Sequence, residues 1–462
     1  MDSPSITDHA AVPGALQPAL SSPTASRYLL AALTLFYTSS FVDRAILNIL
    51  AQPIKDDLGL TDAELGILGG FAFAVLYAGL GIPIARLAER FSRVTIIAMA
   101  LTLWSAMTMA CGAASSFIQL AIARAGVGIG EAACTPCAHS LIGDSFPADK
   151  RATALSVYSL GIPIGILTGT LGGAWVAETY GWRAAFVAVG APGLLLALLA
   201  RLTIREPERG RFDPPTAAVP PPLTHVIRYL LARRTFNHMA IGVSISTLVS
   251  AGMVAFMAPF LLRGPYGLDL SDVAWVIAGL SGGAALIGTY AGGALCDRLA
   301  TRDARLYLQL PAIAYFIAGP VYAVALMQNN LVALISLCVV AQICALIYLG
   351  PTFGVLHNMV EARMRATAIA IVFVLTSLIG LGLGPVLVGW ISDTTAASGV
   401  GATQWAQCPI VPSDACRAAS FAGVRSGLIV AALLYLWAGV HYYLASKTLP
   451  QDLNGPASSQ HS

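Results

Sequence analysis

The sequence predicts an all-α membrane protein of twelve transmembrane helices arranged as two six-helix halves. Three observations carry this reading. Hydrophobic residues make up 57% of the 462 residues and charged residues only 11%, too few charges to cover a water-soluble chain of this length. Apolar runs of about twenty residues, long enough to cross a bilayer as helices, recur along the whole chain. The charged, then proline-rich stretch REPERGRFDPPTAAVPPPL, Arg205 to Leu223, divides those runs six and six.

The elements follow in order. Residues 1–26 are rich in Ser, Pro and Ala and hold no Lys or Arg. They lack the basic n-region of a signal peptide and read as a disordered tail. The first half, 27–203, holds spans at 28–51, 62–86, 93–113, 116–142, 151–176 and 183–203. A linker, 204–234, includes THVIRYLLARRTF, Thr224 to Phe236, patterned as a short interfacial helix. The second half, 235–447, holds spans at 235–262, 271–299, 304–326, 331–359, 365–392 and 421–446, and 448–462 form a second tail. Of the 26 Lys and Arg, 19 fall on the side of the linker and both tails, 5 fall on the other side, and Arg44 and Arg124 lie inside spans. The positive-inside rule then puts both termini in the cytoplasm. With no sorting signal in view, a bacterial inner membrane is expected. No basic patch with interleaved aromatics points to nucleic acid.

This topology places Cys408 and Cys416 in the outer loop between spans 11 and 12. An oxidising compartment favours a disulfide there; the alternative is two free thiols in a mobile loop. Cys134-Thr-Pro-Cys137, with His139 nearby, is formally a CxxC. Small residues and a proline in a packed membrane helix account for it equally well, so no metal site is expected.

The halves echo each other. Glu89-Arg90 after span 2 and Asp297-Arg298 after span 8 are 208 residues apart, and Arg151-Ala-Thr-Ala and Arg365-Ala-Thr-Ala, opening spans 5 and 11, are 214 apart. Parallel six-helix repeats with a cavity between them at mid-membrane are a transporter plan.

On these motifs the chain from about Arg27 to Lys447 resembles the major facilitator superfamily. That family's loop pattern is Gly-x-Leu-x-Asp-Arg-x-Gly-Arg. Gly293, Leu295, Asp297 and Arg298 fit it, with Ala300 in place of a glycine and Arg302 closing the copy. The first copy is looser: Leu87, Arg90 and Arg93 fit, while Ala85, Glu89 and Ser92 depart. Arg124-Ala-Gly-Val-Gly128 in span 4 is similar to the family's Arg-x-x-x-Gly, and GIPIGILTGTLGG in span 5 resembles its antiporter-associated motif. Within the superfamily, FVDRAILNILAQPIKDDLGLTDAELGILGGFAF looks like the Spinster branch, as does Asp43-Arg44 combined with Arg124 and Glu131. The resemblance implies twelve helices in a 6+6 pseudo-symmetric major facilitator fold. It also implies amphipathic lipid cargo, such as sphingosine 1-phosphate or lysophospholipids.

The intramembrane charges give a reading of their own. A charge inside the bilayer faces a partner or water. Asp43 and Arg124 each lie eight residues from the outer end of their span, about 12 Å deep at the helical rise, so they can pair. Glu131 is two turns beyond Arg124 on nearly the same face. Asp43 and Arg44 point about 100° apart, which sends Asp43 to span 4 and Arg44 to the cavity. A carboxylate that loses its arginine or its water in one conformation takes up a proton. Asp43 and Glu131 are therefore the candidate proton-coupling residues. Arg44 and Arg124 are the candidates for an anionic head group. The structural alternative is a salt bridge that only sets helix register. His139, His357 and Asn358 read as packed or interfacial groups first.

A second device is expected on the cytoplasmic side. Glu89 would meet Arg365, Asp297 would meet Arg151, and Arg90 and Arg298 would complete the two loops, latching the halves in the outward-open state. The bland alternative is a solvated loop. The whole reads as a proton-coupled secondary transporter of amphipathic lipids working by alternating access, in the bilayer, as a monomer. Two alternatives stay open: a carrier of small organic anions or drugs, and a non-transporting sensor on the same fold. No ATP site, metal site or nucleophilic triad is visible. An enzyme is therefore not expected, nor any cofactor beyond the coupling proton.

Overall fold

The computed structural model describes residues 23–209, 221–299, 303–361, 364–408 and 413–453. Among the described residues, twelve helices are long and apolar enough to cross a membrane: Thr24–Ile49, Asp62–Gly81, Arg93–Ala113, Phe117–Ser145, Thr153–Tyr180, Trp182–Thr203, Arg234–Arg263, Leu270–Cys296, Leu306–Leu326, Leu331–Met359, Thr367–Val400 and Asp414–Leu453. They are spans 1 to 12 below. The end of the bundle carrying the linker is the linker end, and the opposite one is the far end.

The spans fall where the apolar runs place them, with several ends shifted: span 11 runs on to Val400 and span 12 starts at Asp414. The first helix begins at Pro23, since proline suits the first helical position, where its missing N–H is no loss. The last helix runs on to Leu453. Its end is tied to span 7: Asp452 Oδ2 accepts from the Thr235 amide at 2.8 Å, and the Thr235 and Thr448 hydroxyls bond at 2.8 Å. The linker holds the helix Leu223–Leu231, which buries Val226 and Leu230. Its Tyr229 hydroxyl donates to the Met359 carbonyl at 3.2 Å.

Spans 2 and 8 open on the same device. Thr61 forms a capping box with Glu64, and Asp269 forms one with Asp272, 208 residues later. Each box satisfies amides that the helix start leaves without partners. Spans 4 and 10 share an interruption. Span 4 divides into Phe117–Glu131 and Cys134–Ser145, and span 10 into Leu331–Leu346 and Leu349–Met359. Pro136 and Pro351, 215 residues apart, offer no N–H to the carbonyls four residues back, Ala132 and Ile347. The chain tightens there, with Ala133 N on Gly130 O at 3.2 Å and Ile347 N on Cys344 O at 3.3 Å. Glu131 thus ends a half-helix. Spans 2, 8 and 11 each contain a π-helical turn, Ile67–Phe71, Gly279–Ala284 and Thr376–Gly382, a feature found mostly at functional positions.

The halves meet at the far end. There the start of span 2 packs on span 11, the start of span 8 on span 5, and the short helix Ala51–Leu58 on span 7. A Cβ on Gly66 would lie 2.4 Å from the Pro385 carbonyl oxygen, and one on Gly389 would lie 2.1 Å from that of Asp62. Only glycine lets these two backbones touch. The packing continues to the mid-membrane π turns of spans 2 and 11. Among the described residues, no helix pair packs extensively across the linker end. The cleft between the halves therefore opens toward the linker.

One polar knot holds the linker end of the first half. Arg93, 2% exposed, pairs with Asp144 on span 4 and, through Nε at 2.7 Å, with Glu206 after span 6. Glu206 Oε2 also accepts from the Val94 amide at 3.0 Å and the Ser92 hydroxyl at 2.8 Å, capping span 3. Burial works against the Glu206 charge, but the Val94 amide, Arg93 and Ser92 outweigh it and hold the carboxyl below the usual range. A depressed carboxyl adds stability above its unfolded-state value and loses it as pH falls through the folded one. Glu206→Gln should therefore melt below the parent at pH 7, and the two melting temperatures should converge as the pH drops below the ordinary carboxylate range. A gap constant with pH would remove the charge from this account.

Candidate functional site

Four charged side chains meet between spans 1 and 4, at the middle of the first half. Arg44 reaches Glu131, with Nε donating to Oε2 at 2.7 Å and NH2 at 2.6 Å from the same oxygen. Ser40, one turn before Arg44, donates to that oxygen at 2.9 Å. The Arg44 guanidinium lies over three rings, Phe41 at 5.0 Å, Phe73 at 4.8 Å and Tyr77 at 5.0 Å. Its side chain is 23% exposed while that of Glu131 is 0% exposed. Arg44 is therefore the accessible member of the pair.

Asp43 and Arg124 form the second pair, and it is loose. Asp43 Oδ1 lies 3.7 Å from Arg124 NH1, beyond hydrogen-bond reach, and both are buried. The Thr108 hydroxyl lies 2.8 Å from Asp43 Oδ2 and 2.9 Å from the Trp104 carbonyl, and its single proton can serve one of them. The two arginines share the Phe73 ring, with Arg124 5.6 Å from its centre. Asp43 Oδ1, Glu131 Oε1, and Nε and NH1 of Arg124 have no hydrogen-bond partner in the protein. Each carboxylate thus keeps one oxygen free to hold a proton, and Arg124 keeps unpaired donors. Glu131 also sits at the C-terminal end of a half-helix, where backbone carbonyls make an anion costly, so its charge leans on Arg44.

The expected pairing of Asp43 with Arg124 across matching depths is the pairing found. Arg44, expected to face the cavity, does so only in part, because Glu131 holds it. Arg124, expected to meet a head group, is 3% exposed and enclosed by Asp43 and Phe73. His139 is exposed, edge-on to Tyr158 with ring centres 5.5 Å apart. The His357 carbonyl accepts from Arg365 Nε at 3.2 Å. Arg90 and Arg298 are exposed. The side chains of Glu89, Arg151 and Asp297 lie outside the described residues, and with them the expected linker-end latch. Cys408 and Cys416 are bonded as a disulfide. Among the described residues, no group of three metal-binding side chains occurs.

Sequence reasoning missed Ser40, Thr108, Phe73 and Tyr77. Ser40 was within reach, since it precedes Arg44 by four residues and shares its helix face. Thr108 and Phe73 carry no signal of their own, because only the packing of spans 2 and 3 brings them to the charges.

Comparison with known proteins gives a family. The sequence profile of the Major Facilitator Superfamily matches residues 33–406. An MFS-type efflux pump of Mycolicibacterium smegmatis is 33% identical over 362 residues, 78% of this chain and 83% of that protein. Protein spinster homolog 1 of Xenopus tropicalis is 24% identical over 383 residues, 78% of this chain and 72% of that one. Among solved structures, a bacterial homolog to the human lysosomal transporter Spinster, in an inward-facing and unoccupied conformation, superposes with a TM-score of 0.86 at 34% identity. That match covers 94% of this chain and 100% of the other.

The exposure difference within the tight pair makes a prediction. Arg44→Gln strands the Glu131 carboxylate without its cation, at a cost on the order of 3 kcal/mol. Glu131→Gln leaves a cation that water and three rings still hold, at a cost of about 1 kcal/mol. Melting temperatures in detergent near pH 7 should therefore fall further for Arg44→Gln. Equal losses would mean that Arg44 is as buried as its partner.

Proposed function

This chain belongs to the Major Facilitator Superfamily, in its Spinster branch, and we propose that it is a proton-coupled transporter of anionic amphipathic lipids working by alternating access. Sphingosine 1-phosphate and lysophospholipids are the cargo class. The observation that supports it is the tight pair: a partly exposed arginine held by a fully buried carboxylate. An anionic head group entering the cleft competes with Glu131 for Arg44. A proton on Glu131 removes the competitor and lets Arg44 turn to the head group. Proton and anion therefore favour each other's binding, and linkage makes the effect reciprocal. Asp43 is the second proton site, and its protonation frees Arg124 as a second donor. The lipid tail lies along apolar walls between the halves. The excess of basic residues at the linker end supports termini on the cytoplasmic side; in the bacterial inner membrane that this reading takes, the open cleft is then the inward one.

A second reading, export of amphipathic drugs, draws on the similarity to an efflux pump. The two readings differ in sign. A cationic drug needs Glu131 ionised, so its binding weakens as pH falls, whereas an anionic lipid binds more tightly.

Uptake of labelled sphingosine 1-phosphate and of a lysophospholipid into proteoliposomes tests the reading, with and without a proton gradient. The gradient should drive uptake in the parent. Asp43→Asn and Glu131→Gln, still folded, should each lose at least about tenfold of it, the usual scale for removing a proton-transfer group. Absence of lipid flux in the parent under any gradient would remove the lipid reading. Undiminished driven flux in both variants would reduce the carboxylates to structural partners.

A further inference from the structure

The far end holds contacts that the central site does not use. The capping boxes of spans 2 and 8 take the third amide of each helix, Glu64 N and Asp272 N. The amides before them point across the interface to the other half. Asp62 N and Ala63 N donate to the two carboxylate oxygens of Asp393, on span 11, at 3.1 and 2.7 Å. Ser271 N donates to Glu178 Oε1, on span 5, at 2.8 Å, and its hydroxyl donates to Oε2 at 2.5 Å. The two arms are related by the internal repeat. Thr61 and Asp269 are 208 residues apart, and Glu178 and Asp393 are 215 apart. Each arm is a carboxylate from one half on the positive end of a helix from the other.

The arms differ in what surrounds them. Asp62 itself is buried, and its carboxylate meets Lys55 Nζ at 2.5 Å, two guanidinium nitrogens of Arg263 at 2.7 Å, and the Ser392 hydroxyl at 2.5 Å. Arg263 Nε also donates to Gln52 at 2.6 Å. Lys55, Gln52 and Asp62 belong to the first half, and Arg263, Ser392 and Asp393 to the second. On separation each half keeps one cation and one anion, Lys55 with Asp62 and Arg263 with Asp393. The cluster can therefore break without stranding a net charge on either side. At span 8 the residue matching Asp62 is Leu270, and Glu178 is exposed, so that arm has no such core.

We propose that these two carboxylate caps close the far mouth of the transporter, and that the Asp62–Arg263–Asp393 arm sets how much of the protein rests with its cleft open to the linker end. The proposal rests on the alternating-access reading, and its test needs neither cargo nor gradient.

Gly69, just inside the mouth, has room for a Cβ, 3.9 Å from that of Ala255 across the interface. Gly69→Cys in full-length protein in liposomes reports opening through its labelling by a membrane-impermeant maleimide applied to the far face. Asp393→Asn should raise that rate at least about fivefold, and so should the paired Asp62→Asn/Arg263→Gln variant, which removes one charge of each sign. Such a rise corresponds to about 1 kcal/mol. Glu178→Gln should raise it less than about twofold, the scale of an exposed contact. With the half-buried Cys344 replaced by Ser throughout, the same variants without the reporter should stay unlabelled, since the other five free cysteines are buried. Parental rates in Asp393→Asn and in the paired variant would overturn the proposal. So would an equal rise in Glu178→Gln, or labelling without the reporter, which signals unfolding rather than opening. A parent that labels as expected but moves no lipid would leave the latch standing and remove only the cargo reading.

Discussion

A charge inside a membrane bundle must keep a partner in every conformation the protein visits, since leaving it alone costs several kcal/mol. In this chain the constraint falls first on Glu131. It is fully buried at the end of a half-helix and leans on one guanidinium and one hydroxyl. The geometry around it follows from that need. Pro136 interrupts span 4 so that the helix ends there, the face shared by Ser40 and Arg44 supplies the donors, and Phe41, Phe73 and Tyr77 hold Arg44 from above. Because Arg44 is also the partly exposed member, whatever competes for it from the cleft changes what Glu131 must do next. In the proposed mechanism, binding and ionisation are tied by a shared partner rather than by distance or timing.

The same logic appears at the far end in a form suited to motion. The internal repeat sets a carboxylate against a helix start twice, and the backbone amides involved can return to water when the halves part. Only the span 2 arm adds buried charge. That addition is balanced in each half, so the contact can be strong when closed without leaving either surface charged when open. Gly66 and Gly389 make it possible, since the Asp62 cluster needs spans 2 and 11 in backbone contact.

Much of this was legible in the sequence, for identifiable reasons. The spans were readable because bilayer thickness fixes their length, and the repeat because duplicated loops keep their charges. Asp43, Arg44, Arg124 and Glu131 stood out because charge is rare in such helices, and helical rise alone placed Asp43 opposite Arg124. The tight pair was not readable. Arg44 could be assigned a direction from its neighbour, but the interrupted end of span 4 decides that Glu131 comes within its reach. The far-end cluster was hidden for another reason. Lys55, Arg263 and Asp393 sit near span ends, where charges are ordinary, and only the packing of the two halves brings them, half-buried, around Asp62.

The distribution of buried charge argues for unequal roles. Among the described residues, the buried charged ones are Asp43, Asp62, Arg93, Arg124, Glu131 and Asp144, all in the first half. The second half buries hydroxyls instead: Thr235, Ser244, Ser246, Thr352, Ser377, Ser392 and Ser446. Several bond to a stack of tyrosines, with Tyr315 donating to Ser246 at 2.6 Å and Tyr442 bonded to Thr352 at 2.7 Å. Tyr315 and Tyr435 stack with ring centres 5.2 Å apart. Neutral hydroxyls cost less to bury than charges and do not titrate in the physiological range. Apart from the half-buried His238–His441 pair, whose ring nitrogens lie 3.0 Å apart, the buried polar bonding of the second half thus rests on neutral hydroxyls, while that of the first half rests on charges. In the proposed cycle a proton on Asp43 or Glu131 would act on the first bundle, which meets the second at the far end, where Asp393 and Arg263 bond to the start of span 2.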